Sequence, residues 1–167
     1  MSELSFYQVS IPVFVRGLEV IATELGIASV SATARGFSAD VLVSARLSPD
    51  MLPLSGQVQR ASDTSKFSAE RLAGVASPRF EDKEQTVAEL IARVQATSDY
   101  LRTIEPSHFE QMVGKPVTVA LGTFSREDYL LQFALPNFFF HVSTIHAILR
   151  HNGVVLGKLD YLGLKKP

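Results

Sequence analysis

Four stretches of the chain place apolar residues at i, i+3, i+4 and i+7, the spacing that gathers side chains onto one stripe of a helix. The first spans about Ser5 to Thr33, with Ile11, Phe14, Val15, Leu18, Ile21, Ala22 and Leu25 on its stripe. Pro12 demands that this helix start near Ile11 or kink there, because an interior proline removes a hydrogen bond and crowds the preceding turn. Gly36 is its stop, and Ser38-Ala39-Asp40 reads as the cap of a short helical piece through Ala45. Asp50 is placed to cap a second helix from about Met51 to Val75, with Pro53 tolerated in the first turn. Met51, Leu54, Val58, Ala61, Ser62, Ser65, Ala69 and Leu72 form its stripe. The small residues in the middle allow a close helix neighbour or leave room for something else.

Thr86-Val87-Ala88-Glu89 matches a capping box, in which Thr and Glu satisfy each other's free backbone donors. It opens a third helix to about Ile104, with Val87, Leu90, Ile91, Val94, Leu101 and Ile104 on one face; Pro106 ends or redirects it. Lys115 to Leu121 alternates and is rich in β-branched residues, which predicts a short strand closed by Gly122. One strand makes no sheet alone, so it forms at most a hairpin or an intersubunit edge. A cap at Ser125 and a short helical lead-in from Tyr129 to Ala134 precede Pro136, where the fourth helix starts; Asn152-Gly153 stops it. Val154 to Pro167 then reads as a tail packed on the surface. The pattern predicts an all-α protein: a single helical-bundle domain over residues 1–167, with a long crossover in its second half containing at most a short strand or hairpin.

Composition agrees, with 46% hydrophobic and 20% charged residues, well inside the globular class. The formal net charge is -1 and the longest basic cluster is Lys165-Lys166, which argues against nucleic acid or an anionic membrane as the main partner. There is no cysteine, so disulfides, thiolate nucleophiles, thiolate zinc sites and iron–sulfur clusters are excluded together. Met1-Ser2-Glu3-Leu4 lacks the basic start of a signal peptide, and no charge-free apolar run is long enough to span a bilayer. The cytoplasm is the expected location.

The fourth helix, Pro136 to Gly153, carries three of the four histidines and the run Phe138-Phe139-Phe140. Its histidines, His141, His146 and His151, are five residues apart, so neighbours point about 140° from each other and cannot share one ion on a straight helix. His141 falls near the core stripe of Phe138, Val142, Ile145 and Leu149, His146 toward the opposite shoulder, and His151 near the helix end, where a cation suits the dipole. His108 is expected to be exposed in a connection. Arg46 and Asp50, flanked by Pro49 and Pro53, form a rigid corner that either lines a pocket mouth against the fourth helix or is a cap with a local ion pair. Asp63, beside Ser62, Thr64 and Ser65, reads as part of a solvated face rather than buried polar machinery. The three phenylalanines cover about 200° of helix surface, so part of that surface should meet the lead-in, the tail or a second subunit. Phosphate loops, dinucleotide fingerprints, the serine-hydrolase elbow and His-Glu-x-x-His are all missing.

Tyr7-Gln8 with Pro12-Val13-Phe14, Ala45 to Met51, Phe133 to Val142 and Leu149 to Val154 together resemble an uncharacterised bacterial family within the DinB-like (YfiT-like) four-helix-bundle superfamily, over nearly the whole chain. That resemblance implies a DinB-like bundle, commonly a homodimer. It also implies a divalent ion such as nickel or zinc, held by one histidine of the second helix and two of the fourth, and in some members thiol transfer. This chain departs from that pattern: its second helix has no histidine and its fourth has no His-x-x-x-His pair. Only His141 can stand where a ligand stands, with Gln57 or Asp63 substituting for the missing histidine. The expected protein is therefore a small dimeric bundle that binds a small-molecule ligand or partner near Arg46, Asp50, Asn137 and His141, with no intact metal centre. The alternative is a divalent-metal enzyme, of thiol-transferase or hydrolase type, with a degenerate ligand set around His141.

Overall fold

The structure is a computed structural model, and residues 4–164 are described. The Lys165-Lys166 cluster, the last of the tail and the first three residues of the N-terminal segment lie outside them. Helix α1 runs from Ile11 to Ala34 with Pro12 in its first turn, so the proline sits where no N–H is needed and no kink is required. Phe6 to Ser10 are turn and Ser5 is irregular, so this stretch is not helix. Ala39–Leu42 is a single 3-10 turn capped by Ser38.

Helix α2 spans Leu54–Ala73 and ends on Gly74 in the left-handed conformation (φ 73°), which a side chain would disfavour. It starts three residues later than the pattern predicts. Pro53, with its fixed φ and an extended ψ of 170°, holds the residue before the first turn, and no side chain caps it. Helix α3 covers Val87–Arg102 behind the expected capping box of Thr86 and Glu89. The connection that follows holds a short helix α4, Pro106–Glu110, which the periodicity is too brief to reveal. It also holds the hairpin of β1, Val117–Val119, with β2, Gly122–Phe124, antiparallel with Val117 opposite Phe124.

The fourth long element begins at Arg126, not Pro136. Helix α5, Arg126–Asp128, is capped by Ser125 and passes into a π-helical segment, Tyr129–Ala134, which passes directly into α6, Leu135–His151. The wide turn precedes Pro136, which has no N–H to give and whose ring would strike the carbonyl one α-turn back. Widening the turn there relieves both problems without breaking the helix. A last short helix, α7, Lys158–Tyr161, lies in the tail.

Cross-helix pairs define the order and direction of the long helices. Asp40, just past the end of α1, accepts the Val87 N–H at the start of α3 (2.9 Å), and Glu19 of α1 pairs with Arg102 at the end of α3 (2.7 Å), so these two run antiparallel. Asp63 meets Arg93 (3.0 Å), and the Tyr100 hydroxyl reaches the Val75 carbonyl beyond the end of α2 (2.7 Å), so α2 and α3 run parallel. Helix α6 opposes α2 and parallels α1. The bundle is thus up-down-down-up, with α1 and α2 on one diagonal and α3 and α6 on the other.

Parallel α2 and α3 require residues 74–86 to climb the bundle between them, and buried cations hold that strap. Arg93 donates to Asp82 (2.9 Å), Glu84 (2.9 Å) and Asp63 (3.0 Å), while the Lys66 ammonium meets Asp63 (3.1 Å) and the Pro78 carbonyl (3.0 Å) and faces the Phe67 and Phe80 rings. The opposite side of the bundle is apolar. Phe138 is fully buried, edge-on to Phe14 (5.1 Å between centroids), and packs directly against Gly17, where any Cβ would overlap its ring. Gly17 is therefore a close-approach position between α1 and α6.

Candidate functional site

The seam between α2 and the continuous helix of the π-helical segment and α6 carries three polar rungs among apolar contacts. Gln57, Thr64 and Ser68 fall on one face of α2, and His141 and Asn137, one turn apart, fall on the facing stripe of α6. Three rungs join them: His141 Nδ1 to Gln57 Oε1 (2.7 Å), Asn137 Nδ2 to Thr64 Oγ1 (2.8 Å) and the Tyr129 hydroxyl to Ser68 Oγ (2.9 Å). Arg71 adds a donor to the Tyr129 hydroxyl (3.1 Å). The small residues of the α2 stripe thus carry hydroxyls that are used: Ser62 bonds Thr97 of α3 (2.7 Å), as Ser68 bonds Tyr129. The π-helical turn is what brings Tyr129 onto the same line as Asn137 and His141.

His141 is 8% exposed and Gln57 1%. Gln57 Oε1 can only accept, so His141 donates from Nδ1 and carries its lone pair on Nε2. Burial, and then the charge of Arg60 one turn beyond Gln57, lower its pKa to about 4. The imidazole is neutral at physiological pH. Gln57 in turn donates from its amide nitrogen to the Leu52 carbonyl (3.2 Å), tying the site to the connection before α2.

A shallow groove of about 190 Å³ opens over the middle of the seam, between Arg60, Phe67, Arg71, Phe133 and Asn137. Arg60 there is paired with Asp63 (3.5 Å) and Asp82 (2.9 Å), whereas Arg71 donates to the Tyr129 hydroxyl, lies against the ring faces of Phe67 and Tyr129, and has Glu70 as its nearby carboxylate. The groove is polar at its floor, aromatic at its sides and cationic at its rim.

Of the residues expected at a pocket, His141 and Asn137 lie on this seam, while Arg46 and Asp50 do not join them. Both are exposed: Arg46 donates to the Met51 carbonyl, and Asp50 accepts from Ser48 Oγ (2.7 Å), which holds its carboxyl below the usual carboxylate range. They make no ion pair with each other, and Asp50 caps no helix, since Pro53 stands between it and α2. Gln57 does reach His141. Asp63 does not: it is shared by Arg93, Lys66 and Arg60, half-buried rather than on a solvated face. His108 is also half-buried, its Nδ1 accepting the Glu105 N–H (3.0 Å) at the start of α4. His151 is exposed at the end of α6.

Metal chemistry would need more donors than the seam supplies. His141 and Gln57 offer one imidazole nitrogen and one amide oxygen, the oxygen already accepts the Nδ1 proton, and Arg60 adds positive charge. Among the described residues, no group of three His, Cys, Asp or Glu side chains is placed to hold an ion, whereas a catalytic zinc site takes three protein ligands.

One site escapes the apolar periodicity. Glu24 of α1 is fully buried, and its Oε1 lies 2.6 Å from Nδ1 of His146 on α6. The only clue is a carboxylate three residues after Ile21 and four before Ala28, on the buried side of an apolar helix.

Fold and site together define a DinB-like helical bundle whose inter-helix seam carries a histidine–amide pair. The chain belongs to the domain-of-unknown-function family DUF1993, whose model matches residues 6–162. A crystal structure described as a DinB family member protein from Shewanella denitrificans is 32% identical, with a TM-score of 0.89 over 96% of this chain and 95% of that one. A search of curated proteins finds no match. No described helix is long and apolar enough to cross a membrane.

Proposed function

We propose that this protein binds a small polar ligand in the groove over the α2–α6 seam, and does so without a divalent metal centre. The lining of the groove carries this reading: Arg60, Thr64, Arg71 and Asn137 offer polar and cationic groups between the Phe67 and Phe133 rings. His141, one turn along α6 from Asn137 and held neutral beside Arg60, speaks against a metal at this seam, because a nearby cation opposes a second one. Arg71, with one hydroxyl partner and two aromatic faces, is the group that would meet an acceptor on the ligand, and Phe67 and Phe133 would cover its flat part.

The competing reading, a divalent-metal enzyme centred on His141, draws on the 2.7 Å contact between His141 and Gln57 and on the DinB-like fold. Elemental analysis of protein purified without a histidine tag separates the two. The metal-free reading expects no stoichiometric zinc or nickel and no rise in melting temperature when either is added, because an ion that binds the native state must stabilise it. Stoichiometric metal that vanishes in His141→Ala overturns it.

The same reading includes a homodimer in the cytoplasm. Phe140, 55% exposed, and Leu52, 45% exposed, flank the His141–Gln57 pair, and an apolar patch of that kind suits a second copy. Sedimentation equilibrium should give a dimer that Phe140→Ser shifts toward monomer; a monomeric wild-type chain refutes this part.

A further inference from the structure

We propose a second ligand site on the opposite side of α6, where His146, held by Glu24, accepts a hydrogen bond from the hydroxyl of a small phenol. Glu24 is 0% exposed, and its Oε2 is buried without a partner among the described residues. A buried, half-satisfied carboxylate is costly in an apolar interface, and Leu or Met at this position would pack without that penalty. The group that Glu24 does touch is His146, through Nδ1 at 2.6 Å. A carboxylate at that distance holds the Nδ1 proton and presents the ring's lone pair on Nε2.

His146 is 22% exposed and opens onto a shallow hollow of about 300 Å³ lined by Ser143, Lys158 and Tyr161. Among the described residues, no protein group bonds its Nε2. The Tyr161 hydroxyl is engaged with Ser143 Oγ (3.0 Å), and its ring stands edge-on to His146 (5.7 Å between centroids). Tyr161 also walls a neighbouring, mainly apolar cavity of about 390 Å³, formed by Val13, Gly17, Val20, Phe139 and Val142, with the Arg16 guanidinium in its lining engaged by the Leu162 carbonyl. An acceptor nitrogen beside an apolar cavity selects a ligand with one donor on an apolar ring. A carboxylate is disfavoured, because Glu24 lies behind the imidazole and Asp160 adds further negative charge at the same end. Lys158, on the rim, is the cation that would lie near the phenol oxygen while the hydroxyl donates a hydrogen bond to His146 Nε2.

The test uses p-cresol and toluene, which share an apolar body and differ in the hydroxyl, with the ring nitrogens of His146 followed by NMR. Saturable p-cresol binding that moves the Nε2 signal, at least about tenfold tighter than toluene, is the expected result, since a site built around a hydrogen bond rejects the analogue lacking it. Glu24→Gln can donate to Nδ1 and so turn the lone pair away from the hollow; it should abolish the preference for p-cresol over toluene, because the hydroxyl then loses its acceptor. His146→Gln, at a partly exposed position, repeats the test if the first variant folds poorly. Equal binding of the two compounds by the wild-type chain, no saturable binding, or discrimination that survives in His146→Gln would each overturn the proposal. None of these outcomes depends on His141.

Discussion

Helix α6 offers two histidines, five residues apart, to two different neighbours, and the two contacts are opposite in kind. His141 turns to the antiparallel α2 and meets a neutral amide, within a ladder in which each buried polar group has a partner. His146 turns to the parallel α1 and meets a carboxylate with one oxygen unsatisfied, on a seam that is otherwise Phe138 against Phe14 and Gly17. The first arrangement is what a helix interface needs to join two polar faces. The second is tolerated at a cost, and in a folded chain such a cost more often marks a site than a scaffold.

The apolar seam should dominate stability. Phe138→Ala removes a fully buried ring from the α1–α6 contact and should cost about 3–5 kcal/mol, read from urea unfolding. A loss below about 1 kcal/mol would mean that the α1–α6 packing is looser than described. On the polar seam, Gln57→Leu keeps volume but leaves the Nδ1 proton of buried His141 without an acceptor, and should cost about 1–3 kcal/mol. If His141→Gln in that background restored nothing, the hydrogen bond would not be what Gln57 contributes.

The two seams should also respond to pH with opposite sign. His141 has a folded pKa of about 4 against an ordinary 6.5, so the unfolded chain binds the extra proton between these values. Its contribution is complete above pH 6.5 and is lost as pH falls toward 4, with a slope approaching one proton. His141→Gln should flatten unfolding free energy across that window. Glu24 is raised by burial, against the lowering effects of His146. Its folded state therefore holds a proton that the unfolded chain gives up above about pH 4.5, and its contribution is lost as pH rises through the folded value. Glu24→Gln should remove that decline, and a parallel response in both variants would erase the contrast between the seams.

How much of this was legible depended on whether a residue's partner is local. Capping boxes and proline positions act within one turn, so α1 and α3 could be placed from Pro12 and from Thr86 with Glu89. The start of α2 was missed because Pro53, rather than Asp50, sets the chain's direction into the helix, and the π turn was missed because Pro136 looks like a start signal when it is a defect the helix absorbs. Five-residue spacing correctly separated the histidines, yet it could not say what each one meets. Gln57 reaches His141 across 84 positions and Glu24 reaches His146 across 122. Asp63 read as solvated because Arg93, Lys66 and the returning strap that cover it are distant in sequence or belong to an irregular segment. Arg46 and Asp50 looked like a site because both are charged and rigidly framed, but each spends its side chain on its own loop.

The smallest expected effect is the most discriminating. Glu24→Leu deletes a buried carboxylate and leaves His146, which is 22% exposed and can turn its free nitrogen toward water. The lost contact is a strong hydrogen bond, but the variant also sheds the unsatisfied Oε2 and gains apolar contact on a seam already shaped for it. These terms oppose each other, so stability at pH 7 should change by less than about 1 kcal/mol in either direction, whereas removal of one partner from a purely structural buried pair costs about 3–5 kcal/mol. Gln57→Leu, formally the milder change because no charge is deleted, should be the more damaging of the two, since His141 has no water to turn to. If Glu24→Leu proves as damaging as Phe138→Ala, the carboxylate is part of the scaffold, and the asymmetry between the two faces of α6 is one of packing alone.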